Sequence, residues 1–162
     1  MLKPIQHRTL LAGDHRFAIV ASQYNGRFVE GMLRAARAEL KRAGAKKTRV
    51  FRVPGAYEIP LVAARLAGAP PAAARPAAII CLGVILRGET VHAAHIGEAI
   101  SQALMRIQIE HLVPVIHEVL LLENETQARA RCLGGKHNRG AEAAQTALAM
   151  AAVMSALATP PD

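Results

Sequence analysis

Residues 79–92 carry the densest chemistry in this chain. Ile79, Ile80, Cys81, Leu82, Gly83, Val84, Ile85 and Leu86 form a continuous apolar run, as a strand buried on both faces would. Arg87, Gly88, Glu89 and Thr90 then turn into Val91 and His92, where a helix begins. A buried parallel strand ending in a glycine loop and a helix start is where α/β proteins place ligands. Free backbone N–H groups at such a helix start suit an anion, and a histidine beside them can move protons.

Two more loops bear polar groups, at Gln23–Gly26 with Tyr24 and Asn25, and at Pro54–Glu58 with Glu58. All three loops follow the carboxyl ends of strands, which in an open parallel sheet share one edge. The combined inventory is Tyr24, Asn25, Glu58, Thr90 and His92. It lacks a nucleophile with base and orienter, and no serine sits in an elbow motif. His92 and His95 are three apart, with no carboxylate or cysteine to complete a metal site. Dinucleotide and triphosphate glycine loops are missing as well. Proton transfer, orientation and anion binding remain.

The elements that must position these loops follow from periodicity. Arg16–Ser22, Thr48–Val53, Ala77–Leu86 and Val113–Leu122 read as strands. Phe28, Met32, Ala36 and Leu40 recur at helical spacing up to Gly44, a helix stop. Glu58–Ala67 reads as a short helix with Pro60 in its first turn. Ile96, Ile100, Leu104 and Ile107 stripe a long helix ending near Leu112. Glu123–Arg131 and Gly140–Leu157 are the last two helices, split at Cys132–Asn138. Strands alternating with helices predict an α/β fold on a four-stranded parallel sheet. One domain spans 16–158, with an N-terminal arm over 1–15 and a tail over 159–162.

Composition narrows the class. A chain of 162 residues can bury a real core in one domain. Its apolar runs reach about ten residues where a membrane span needs about twenty, so no membrane partner is expected. Lys3, Arg8 and Asp14 interrupt the start, so nothing there reads as an export signal. Cys81 and Cys132 are far apart and match a reducing cytoplasm. The net charge of +8 raises the question of nucleic acid. Yet the basic residues are scattered, Arg34, Arg37 and Lys41 read as a solvated helix face, and aromatics make up only 3%. No nucleic-acid partner is expected.

At the level of motifs the chain resembles the lumazine synthase family. Val53, Pro54, Gly55, Ala56, Tyr57, Glu58, Ile59 and Pro60 match V-P-G-A-F/Y-E-I-P. Leu82 to His92 match L-G-x-V-I-R-G-x-T-x-H with one exchange of aliphatics. Pro114, Val115, Glu123, Asn124, Gln127, Ala128 and Arg131 keep the spacing of P-V…E-N-x-x-Q-A-x-x-R. Asn138, Arg139, Gly140 and then Glu142 to Ala144 resemble N-K-G-x-E-A-A. The match covers residues 16 to 157, with the motifs in order and in register.

The resemblance implies a flavodoxin-like three-layer α/β/α sandwich with an N-terminal arm. It also implies an enzyme that condenses 5-amino-6-(ribitylamino)uracil with 3,4-dihydroxy-2-butanone 4-phosphate, without metal or redox cofactor. By position, His92 corresponds to the proton-transfer histidine and Arg131 to the arginine on the substrate phosphate. Gly88, Glu89 and Thr90 correspond to the phosphate loop. Tyr24 corresponds to the aromatic that stacks on the pyrimidine, with Asn25 beside it. Gly55, Ala56, Tyr57 and Glu58 form the loop that holds the ribityl chain, and the Val84–Ile85 backbone reads the uracil edge. His117 stands where the family often has a phenylalanine contributed by the neighbouring subunit, and Arg139 replaces a lysine near the phosphate. Ala93, Ala94 and His95 follow His92 where the family has an aromatic and then an aspartate. Gln23 stands where the family commonly has arginine. Family members form homopentamers with sites between subunits, their arms adding a strand to a neighbour's sheet. Some stack twelve pentamers into an icosahedral capsid of sixty subunits. The alternative is a non-catalytic homologue that binds a ribityl-pyrimidine or flavin, or only builds a shell.

Overall fold

The computed structural model describes residues 10–88, 91–135 and 137–158. Four strands, β1 (Arg16–Ser22), β2 (Lys47–Val53), β3 (Ala78–Leu86) and β4 (Val115–Leu122), form one all-parallel sheet in the order β2-β1-β3-β4. Five α-helices connect or follow them: α1 (Gly26–Arg42), α2 (Ile59–Ala67), α3 (His92–His111), α4 (Glu125–Cys132) and α5 (Arg139–Ala158). β1 and β3 are central and almost wholly buried, as their unbroken aliphatic sequences require.

Helices cover both faces of the sheet. Phe17, Ile19, Ile80 and Leu82 point to one side, against Met32 and Leu40 of α1 and Ala144 and Leu148 of α5. Val20, Ile79 and Cys81 point to the other, against Ile59 and Ala63 of α2 and Ile100 and Leu104 of α3. This is the expected flavodoxin-like three-layer sandwich.

The packing of α1 against α4 and α5 depends on small residues. A Cβ built on Gly140 would stand 2.0 Å from the Met32 carbonyl oxygen, and one on Gly31 would stand 2.5 Å from that of Cys132. By length and composition α5 could cross a membrane. Here its Ala143, Ala144, Ala147, Leu148 and Ala151 face is core. Residues 10–15 also pack on their own chain. Ala12 is buried, and its N–H donates to the Ala43 carbonyl at 2.8 Å.

Several boundaries differ from the sequence reading. β4 starts at Val115, not Val113, because Pro114 has no N–H for a ladder. Its carbonyl instead accepts from Ile79 N–H at 2.8 Å. The helix expected from Glu58 begins as a 3-10 turn over Ala56–Glu58 and becomes α-helical at Ile59. α4 starts at Glu125, not Glu123, since the Asn124 side chain caps it by accepting from Gln127 N–H at 3.0 Å. α5 starts one residue early, at Arg139.

Candidate active site

An open sheet of this order changes winding direction between β1 and β3, and the crevice beyond their carboxyl ends is the natural ligand site. The loops named above gather there. Gln23 N–H donates to the Val53 carbonyl at 2.9 Å, and Tyr24 N–H to that of Pro54 at 3.1 Å, joining the first loop to the second. Asn25 bridges the switch point itself, its Nδ2 donating to the Val84 carbonyl at 2.8 Å. Asn25 holds φ 54°, a left-handed conformation that asparagine tolerates better than most residues.

The second loop is built around Gly55. Its N–H donates to Glu58 Oε2 at 2.8 Å. A Cβ there would meet that oxygen at 2.8 Å and Tyr24 Cδ2 at 3.2 Å. The missing side chain lets the Tyr24 ring lie against the turn while the ring stays 72% exposed. Ala56 is buried and Tyr57 is exposed. Val84 is buried and Ile85 half-buried at the strand end.

The third loop leaves β3 beside β4. Arg87 N–H donates to the Leu122 carbonyl at 2.8 Å, and its guanidinium pairs with Glu123 at 2.8 Å. Gly88 is exposed, and nothing lies within 4 Å of where its Cβ would be. Glu89 and Thr90 lie outside the described residues. His92 opens α3 as an exposed side chain, while Ala93 turns into the core. Among the described residues no group of three or more His, Cys, Asp or Glu side chains converges as metal ligands would.

Arg131 and Arg139 belong to the helix layer opposite to that of His92. Arg131 is exposed at the end of α4, whose Ala128 and Cys132 belong to the α1–α5 layer, whereas His92 opens a helix of the opposite layer. Arg139 begins α5, with Nε on Glu118 Oε1 at 2.7 Å and Nη1 on Glu142 Oε2 at 2.5 Å. Burial raises the Glu118 pKa, against the pull of Arg139 and, more weakly, Arg131. A groove between α1 and the α4–α5 connection is lined by Arg34, Glu39, Leu133 and Asn138 among others, and Tyr24, Glu58 and His92 are not in its wall.

His117 faces α3 from the middle of β4. Its Nε2 lies 2.8 Å from Ser101 Oγ, and its Nδ1 accepts from Val119 N–H at 3.3 Å. Sequence reasoning did not find Ser101 or Glu118. The signal was the adjacent pair His117–Glu118 inside an otherwise apolar strand, one polar group sent to each face.

An α/β domain with polar loops at its switch point and an imidazole at a helix start is built for acid–base work on a bound small molecule. Sequence comparison makes this specific. The family model described as 6,7-dimethyl-8-ribityllumazine synthase matches residues 14–155, and the chain belongs to that family. A protein of that name from Stenotrophomonas maltophilia (strain R551-3) is 42% identical over 144 residues, 88% of this chain and 90% of the relative. One from Xanthomonas campestris pv. campestris (strain B100) is 38% identical over 144 residues, 88% and 91% of the two chains.

Proposed function

We propose that this chain condenses 5-amino-6-(D-ribitylamino)uracil with 3,4-dihydroxy-2-butanone 4-phosphate to give 6,7-dimethyl-8-ribityllumazine, with release of phosphate and water, in riboflavin biosynthesis. The observation that carries the reading is the Tyr24–Asn25–Glu58–His92 loop cluster at the β1/β3 switch point, in a chain matched by the family model over residues 14–155.

The amine of the pyrimidine attacks the butanone carbonyl, and loss of water gives an imine. Phosphate leaves by elimination, and the second amine closes the ring with loss of water. Each step needs protons moved and geometry held, which suits an imidazole at His92. Tyr24 stacks on the pyrimidine and the Val84–Ile85 backbone reads its edge. Asn25 already occupies the Val84 carbonyl on one side, so it sets the floor of that subsite. Glu58 with the Gly55–Tyr57 turn holds the ribityl chain. Gly88, Glu89 and Thr90 receive the phosphate at the start of α3.

The phosphate's arginine comes from a neighbour. His92 opens a helix of one layer and Arg131 ends a helix of the other, and a site between subunits of a pentamer brings the two together. Arg139 lies in the layer of Arg131 and joins the phosphate side, while His117, at the position of the family's neighbour-contributed aromatic, meets the pyrimidine. β2 and β4 are open edge strands, a surface that an adjoining chain's N-terminal arm can extend. Twelve pentamers can close into a shell of sixty. Two free, buried cysteines fit a cytoplasmic protein.

The test is to mix purified protein with both substrates and follow lumazine absorbance and particle mass together. Product from particles five or sixty times the 17.3 kDa chain mass is expected. An intact assembly that makes no product would sink the enzymatic reading in favour of a binding or shell protein.

A further inference from the structure

The hydrogen bonds around His117 fix where its proton sits. Val119 N–H can only donate, so Nδ1, which receives it at 3.3 Å, carries a lone pair. A neutral imidazole then has its hydrogen on Nε2, 2.8 Å from Ser101 Oγ. The Ser101 hydroxyl spends its single proton on the Gly97 carbonyl at 2.7 Å, which leaves its oxygen free to accept. The chain His117 Nε2–H, Ser101 O–H, Gly97 carbonyl therefore runs in one direction only. Loss of hydration in this layer lowers the His117 pKa, which favours the same neutral ring.

This direction has two consequences. Ser101 and His117 are not a nucleophile and its base, because the hydroxyl proton points away from the imidazole. Both ring nitrogens are also satisfied within the chain, yet the residue remains exposed. With both nitrogens engaged, the ring face is what is left for a ligand to meet.

We propose that Ser101 is a positioning residue that accepts from the Nε2–H tautomer of His117 and fixes the ring, so that the imidazole meets the substrate pyrimidine by its ring face and not by a hydrogen bond. The pyrimidine in this statement rests on the lumazine-forming reading; the tautomer does not.

Magic-angle-spinning NMR of the assembled protein, labelled with 15N-histidine and assigned by loss of signal in His117→Phe, reads the tautomer directly. A protonated Nε2 and a bare Nδ1 are expected, with Nε2 still protonated in Ser101→Ala through the Val119 contact but its signal shifted by loss of the acceptor. A protonated Nδ1 in the unaltered protein would overturn this arrangement. In kinetics, Ser101→Ala should raise KM for the pyrimidine about fivefold, the loss of one ordinary hydrogen bond, with the effect on KM and not on kcat. The same substitution in a His117→Phe background should then do nothing. An equal effect there would show that Ser101 acts on its own and end the proposal. Protein that makes no lumazine while keeping the Nε2–H signal would overturn the functional reading, and the ring-face role with it, but not the fixing of the ring.

Discussion

Arg139 donates from Nε to Glu118 Oε1 at 2.7 Å, and that carboxylate belongs to a residue only 4% exposed. The second arm of the same guanidinium holds Glu142. A planar, permanently charged fork can bridge two carboxylates in this way and a lysine cannot match it. Glu118 is therefore an ionised group tolerated in the core because Arg139 stands beside it.

Removing Arg139 should expose that dependence. Burial already raises the Glu118 pKa, and Arg139 holds it down, so Arg139→Met lets it climb further. With a folded pKa above the unfolded one, the carboxyl's contribution is complete below the unfolded value and is lost as pH rises through the folded value. The variant should lose about 2 kcal/mol at pH 8, a buried-pair cost discounted for the partly exposed arginine. At pH 5 most of that loss should return. Thermal unfolding of both proteins at both pH values measures it, and an equal gap at each pH would discredit the buried-charge account.

Gly140 sets how closely α1 and α5 approach. A methyl there would occupy space 2.0 Å from the Met32 carbonyl oxygen, which is backbone and cannot swing aside. Gly140→Ala should cost about 3 kcal/mol or more, as overpacking in a tight core does, or abolish soluble expression. Gly26→Ala is the matched control, since nothing lies within 4 Å of its Cβ position. Denaturant midpoints of the two variants would refute the packing argument if they coincided.

Asn25 combines a left-handed backbone with a side-chain bond to the Val84 carbonyl. The two roles separate by substitution. Asn25→Gly keeps the backbone and loses the bond, at about 1 kcal/mol. Asn25→Ala loses both, at about 2 kcal/mol. If the Val84–Ile85 strand end reads the pyrimidine as proposed, both should also raise its KM, because that strand end is no longer pinned. Equal stability of the two variants would show that the backbone conformation carries no cost.

Much of this layout is legible in the sequence because the period is strong. β1 is read at its true bounds, and β3 within one residue, since strands buried on both faces give unbroken aliphatic runs. The loop cluster follows from sheet geometry alone. What the sequence hides is pairing between distant side chains. Glu118 and Arg139 are 21 residues apart, and His117 and Ser101 are 16. Their meeting depends on which face β4 turns to α5 and which to α3, and so on the register of β4 against β3. The caps at Asn124 and Asn138 were within reach, because asparagine before a helix is a recognised start signal. Asn138 accepts from Gly140 N–H at 2.9 Å and donates to the Cys132 carbonyl at 2.6 Å, which fixes the turn between the last two helices.

The proposed division of His92 and Arg131 between two subunits gives the sharpest test of an intersubunit site. If Arg131 holds the substrate phosphate as proposed, Arg131→Ala should raise KM for the butanone phosphate about tenfold or more. His92→Ala should instead lower kcat by about a hundredfold or more, the usual weight of a positioned acid–base group. Where the two groups come from different subunits, co-expressing the two variants repairs some sites. A subunit with intact His92 next to one with intact Arg131 forms a working pair, so random mixing at equal amounts should restore roughly a quarter of the sites. Each variant alone has no such pair. The measurement is lumazine formation by purified mixed particles, compared with either variant alone and with the two mixed after assembly. Recovery only on co-assembly is the expected result. Mixed particles no more active than the better of the two variants would place His92 and Arg131 of one chain in the same site and overturn the division between subunits.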